Sequence, residues 1–215
     1  MAETVQDEVR EIKKSLRLAM NGVVSTLQRR QGLNYKINFG VEIPRLKSIA
    51  ECHTPSKELA VALWQDNIRE CKMLAIYLMP LEQCATVAQE WIAQTQFTEI
   101  ADHLSMHLLS RMPDATNAAL QWCTRPDGMF AYCGYLTLSH LLRRGTQPTA
   151  EQELTLFESL YKQNCDNGIV ARCTQNTMAI YTDRVPDSLE RLRKYTATRE
   201  SVPPTVAMLL NNDVE

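Results

Sequence analysis

Apolar residues recur at intervals of three and four along nearly the whole chain, and no stretch alternates apolar with polar residues for long. That period belongs to helices with one apolar face, so the chain must fold by packing helix on helix. Val5, Val9, Ile12 and Leu16 form the first stripe; Gly22 ends or interrupts it, and 23–27 continues as a short second helix. Leu59, Ala60, Leu63 and Trp64 form another stripe, and Ile68, Cys71, Leu74, Ala75 and Leu78 a third. The most strand-like stretch, 32–40, is bracketed by Gly32 and Gly40 and reads better as an irregular loop.

Start and stop signals divide the pattern into short helices. Ile43-Pro44 opens one, and Thr54-Pro55 another, with the threonine hydroxyl as N-cap and proline in the first turn. Pro80 ends the third stripe and can begin a helix carrying Cys84, Val87, Trp91 and Ile92. Further helices are expected over 97–109, 114–122, 129–142, 154–161 and 169–181. Thr149 with Gln152, and Asp187 with Glu190, fit capping boxes at two later starts. About ten short helices with tight turns predict an all-α chain, an α-α superhelix (solenoid) of stacked helix pairs rather than a four-helix bundle. An irregular bundle is the alternative.

At 215 residues with 45% hydrophobic side chains, the chain has enough core for one domain spanning 1–215 without disulfide or metal support. No apolar run approaches the roughly 18 residues of a membrane span. The opening MAETVQDEVREIKK has acids and no apolar core, so no secretory leader is expected. The seven cysteines (52, 71, 84, 123, 133, 165, 173) are scattered and form no CxxC pair, which predicts buried thiols in a reducing, cytoplasmic setting. The formal charge of −2 divides unevenly: +4 over 1–50, −5 over 51–102, +2 over 103–148 and −3 over 149–215. No basic tail is present, so any nucleic-acid surface must be a local groove.

Several constellations could carry chemistry. His103 and His107, at i and i+4, could share a metal ion or be an ordinary pair at a helix edge; the glutamate a zinc protease needs after the first histidine is missing. Glu99, Asp102 and His103 could be an acid–base cluster or a plain polar stripe. Arg143-Arg144 before Gly145, and Arg29-Arg30 before Gly32, either answer a helix dipole or contact phosphate. Arg69, Glu70 and Lys72 suggest an ion network, with Arg69 structural. No phosphate loop or nucleophile elbow occurs, and no cofactor is implied.

Two segments resemble a known family. NFGVEIPRLKSIAE (38–51) is similar to the opening motif of the AlkD-like DNA alkylation repair family, the alkylpurine DNA glycosylases built from HEAT-like repeats. ELAVALWQDNIRECKMLAIYLM (58–79) resembles that family's next helix pair, with Leu63-Trp64, Glu70 and Leu74-Ala75 at matching steps and Arg69 and Lys72 replacing a histidine and an arginine. The resemblance is strongest in 38–80 and extends weakly to about 195, with a peripheral tail beyond.

It implies an α-solenoid curved around duplex DNA. It also implies removal of cationic alkylated purines, an aspartate stabilising positive charge on the sugar while tryptophans and an arginine line the backbone. In this sequence the family's Trp-Asp-x-x-Asp segment falls on 97–101. Phe97 stands for the tryptophan, Ala101 for the carboxylate, and Asp102 comes one residue late, about 100° round a helix. The arginine falls near Cys133 and the second tryptophan on Asn176, while Arg172 keeps a cation. The expectation is therefore a duplex-DNA-binding protein with Phe97, Arg111, Arg143, Arg144 and Arg172 as contacts and Asp102 as the candidate carboxylate. The alternative is a non-catalytic scaffold holding a protein or peptide partner.

Overall fold

A computed structural model describes residues 4–162 and 168–211; Cys165 lies outside them. Every regular element among the described residues is a helix, apart from one isolated parallel bridge between Ile37 and Ile68. The all-α expectation therefore holds. No helix among them is long and apolar enough to cross a membrane. Contacts divide the chain into two compact units, Met1–Val87 and Ala88–Glu215.

In the first unit, α1 (Val5–Leu18) buries Val9, Ile12 and Leu16. Its N-cap, Thr4, accepts the Asp7 amide at 3.2 Å. Asn21 caps α2 (Gly22–Arg30), accepting the Val23 and Val24 amides at 3.1 and 3.2 Å. α3 (Ile43–Ala50), α4 (Lys57–Gln65) and α5 (Arg69–Leu78) follow. α4 and α5 pack together, with α1 against α4 and α3 against α5. The cap of α4 is Ser56, which accepts the Leu59 amide at 3.2 Å, rather than Thr54. Pro80 leads into a 3-10 turn, Leu81–Thr86, instead of a continuous helix.

The loop 31–42 is held from beneath by α5. Glu70, fully buried, accepts the amides of Phe39, Gly40 and Val41 at 3.1, 3.0 and 3.3 Å. Arg69, 2% exposed, donates to Glu70 at 3.1 Å and to the Val41 carbonyl at 3.2 Å. Gly40 has φ +70°, and a Cβ there would lie 2.2 Å from the Asn21 carbonyl oxygen. Only glycine fits that bend. Lys72 turns the other way, donating to the Trp64 carbonyl at 3.0 Å with its ammonium 4.3 Å from that ring's centroid.

The second unit is built around α9 (Gly128–Arg143). α9 packs against α6 (Ala88–Gln94), α7 (Thr98–His107), α8 (Ala115–Cys123) and α11 (Gly168–Arg184). It buries residues on most of its circumference, from Phe130 to Leu142, as a central helix must. Gly134 lets α8 approach closely: a Cβ there would sit 2.7 Å from both the Ala119 carbonyl oxygen and the Cys123 nitrogen. α10 (Ala150–Lys162) starts at the expected capping box, Thr149 and Gln152 exchanging bonds of 3.0 and 3.3 Å. α12 (Ser188–Ala197) starts differently, because Asp187 has φ +56° and makes no side-chain cap bond. α13 (Pro204–Asn211) packs on α11 and buries Val206. Of the described cysteines, Cys52 is exposed and the other five are buried.

Candidate functional site

Two helices of the second unit frame an open groove of about 1010 Å³. Tyr132, Leu136, Ser139, His140 and Arg143 line it from α9, at the spacing of one helix face. Ile169, Arg172 and Asn176 line it from α11, and Thr98 from α7. The two walls run in the same direction. Cys173 Sγ lies 3.8 Å from the Tyr132 carbonyl, and Thr177 Oγ1 bonds the Tyr135 carbonyl at 3.0 Å and Ser139 Oγ at 2.9 Å. Arg172 therefore stands level with Tyr132, and Arg143 lies about 16 Å further along α9.

Asp102 meets the Tyr132 end. It is exposed on α7, and the Tyr132 hydroxyl donates to its Oδ1 at 2.7 Å. Its neighbour Ala101 is fully buried in the core. The carboxylate one residue late is thus the one turned outward, and the position matching the family's aspartate faces inward. Partial burial pushes the Asp102 carboxyl up from its ordinary value, while the Tyr132 hydrogen bond and His103 pull it down and Glu99 pushes it up. Burial, followed by the Asp102 contact, pushes the Tyr132 phenol up. The phenol stays protonated and keeps its hydrogen to donate.

The other sequence candidates fall in different places. Arg143 and Arg172 are exposed and line the groove from opposite walls. Phe97 is half-buried at the N-cap of α7, one residue before the groove-lining Thr98. Arg144 caps α9 and donates to the Ser110 carbonyl, tying that helix end to the 3-10 turn Leu109–Arg111. Arg111 is exposed beside it, and burial together with Arg111's charge lowers the Arg144 pKa. Cys133, near the place of the family's arginine, is fully buried. Asn176 does line the groove. Arg29 and Arg30 are exposed at the end of α2 in the first unit. The His103 and His107 rings stack with centroids 5.5 Å apart, and no group of three metal-ligating side chains occurs among the described residues.

Sequence reading missed Tyr132 and His140. Both belong to a run of polar positions (132, 139, 140, 143) on one face of an otherwise apolar helix, a signal present in the pattern but not in any motif. His140 is half-buried, and its pKa is lowered by burial first and then by Arg144 and Arg143. The groove thus offers two guanidinium groups, an imidazole, hydroxyls and an amide, with a carboxylate held at one end.

Fold and groove together define an all-helical protein with an open groove lined by cations and hydroxyls, and no carboxylate among the described residues lines it. A family model described as DNA alkylation repair enzyme matches residues 28–168, and the chain belongs to that family. Comparison with curated proteins and with solved structures gave no match.

Proposed function

We propose that the groove between α9 and α11 binds the sugar–phosphate backbone of damaged or distorted duplex DNA. Arg143 and Arg172 are its phosphate contacts. The observation that carries this reading is their placement on facing walls of one open groove that no carboxylate among the described residues lines. Separation along the groove suits an extended polyanion better than a single small anion, because one DNA strand carries a charge about every 3.4 Å of axis. Asp102 is the carboxylate we assign to any excision of an alkylated purine. In that step the glycosidic bond breaks and its electron pair leaves with the cationic base, which becomes neutral. The sugar takes up the positive charge opposite Asp102, and water adds to it, giving up a proton to solvent.

The test is fluorescence anisotropy with a labelled duplex carrying an abasic analogue, at low and moderate salt. Salt-sensitive binding is expected, with the slope of log affinity against log salt falling by about one for Arg143→Ala and again for Arg172→Ala. Base release from an alkylated duplex, if present, should vanish in Asp102→Asn. A folded protein that ignores duplex at low salt overturns the reading. The second reading, a scaffold for a protein partner, then leads. It is favoured by the exposed apolar side chains Leu18, Met20, Val23 and Leu27 in the first unit.

A further inference from the structure

We infer that His140, in its imidazolium form, is a third anion-contacting residue of the α9–α11 groove, so that the groove grips a phosphodiester more tightly as pH falls. The inference rests on the DNA-backbone reading of that groove.

His140 lies three residues before Arg143 on α9, and both line the groove. A backbone reaching Arg143 must therefore pass the imidazole, one helical turn away. Asn176 lies across the groove on α11, and Arg172 stands at the Tyr132 end, about 12 Å back along the groove.

The charges around it favour a neutral ring when the groove is empty. On its own helix stand Arg143 and Arg144, with Tyr132 two turns earlier. α11 presents Arg172 and Cys173, and the 3-10 turn presents Arg111 beside Arg144. α8 carries no charged side chain, and Glu90 on α6 is exposed. α7 carries Glu99, Asp102, His103 and His107, and of these Asp102 bonds Tyr132, about 12 Å along α9 from His140. Burial and the flanking guanidinium groups hold the imidazole below its usual value. A phosphate in the groove reverses the sign of that local field and favours the protonated ring.

Linkage fixes the direction. If binding raises the histidine's pKa, affinity rises as pH falls through the bound value and levels off below the free value. Each unit of difference between the two values is a tenfold change in affinity.

The experiment is anisotropy with the same abasic-analogue duplex from pH 5.5 to 8.0 at fixed ionic strength, with wild type, His140→Gln, His140→Arg and Asp102→Asn. Wild-type affinity should climb about five- to tenfold on acidification, in line with a shift approaching one unit. His140→Gln should be flat and weak, and His140→Arg flat and tight. Asp102→Asn should keep the wild-type slope, which separates imidazole protonation from carboxylate protonation. Independently of any variant, the His140 ring resonances of the wild-type protein should titrate at higher pH with duplex bound. Binding that is flat with pH in wild type, or a slope that survives in His140→Gln, overturns this inference while leaving the groove reading intact. Absence of duplex binding at every pH overturns both.

Discussion

The two units use charged side chains in opposite ways. In the first, Arg69 and Glu70 are sealed in the core, and their hydrogen bonds go to each other and to the backbone of 39–41. In the second, Arg143 and Arg172 stand exposed along a groove, with a carboxylate and a phenol paired at one end. A buried ion pair with all its partners in place organises a loop but has nothing left for a ligand. An exposed cation on a groove wall does little for the fold and is free to meet an anion. The segments that most resemble the family (38–51 and 58–79) are therefore framework: Phe39-Gly40-Val41 supplies amides and Glu70 receives them. The groove proposed to meet DNA lies where the resemblance is weaker.

Removing Glu70 should produce the largest effect. Glu70→Ala strands the Phe39 and Val41 amides, leaves the Gly40 amide to Asn38 alone and removes the carboxylate from buried Arg69, so chemical denaturation should show a loss of about 3–5 kcal/mol. Duplex affinity, corrected for folded protein, should not change. A loss below about 1 kcal/mol would break the comparison, because the first unit's pair would then be no more structural than a surface one.

The second unit has a structural pair of its own, away from the groove, and it should give an intermediate effect. Glu153 on α10, 7% exposed, accepts from Arg191 of α12 at 2.8 and 2.6 Å and from the Tyr181 hydroxyl of α11. Burial alone would raise its pKa, but the bonds from Arg191 and Tyr181 and the charge of Arg191 outweigh that and lower it. A lowered carboxyl stabilises the fold above the ordinary carboxylate range, and that stability is lost as pH falls through the lowered value. Glu153→Gln should therefore cost about 1–3 kcal/mol near pH 7. The gap between wild type and variant should narrow as pH falls below the ordinary carboxylate range and close below the lowered value. A gap constant down to pH 3 would mean that packing, not charge, holds the three helices together.

What the sequence made legible follows from which interactions are local. Helical spacing alone exposed the helices, and the Thr149–Gln152 capping box was readable because both partners lie within four residues. Asp187 carries the same signature but takes a left-handed backbone and makes no side-chain cap bond. Ser56 rather than Thr54 caps α4, a shift of two residues that Pro55 disguised. The groove was not legible as a site, since its two main walls belong to helices separated in sequence by the whole of α10 and only packing brings Tyr132 beside Asp102. Register was the hardest element. By motif, Ala101 holds the aspartate's place, yet burial shows Ala101 inward and Asp102 outward.

Arg111 is the place where the smallest effect is expected, and where the contrast between structural and available charge can be drawn most finely. It was grouped with Arg143 and Arg172 as a phosphate contact, but it lies outside the groove lining, beside an Arg144 whose guanidinium is engaged by the Ser110 carbonyl. If the groove is the anion surface, Arg111→Ala should alter stability by no more than about 0.5 kcal/mol. It should change duplex affinity less than about twofold and leave the salt slope intact, because no counterion is released where no phosphate is met. A slope reduced by about one would place a phosphate beyond the C-terminal end of α9. The anion surface would then run past Arg143 to the 3-10 turn, and Arg144 would hold that turn in place for it.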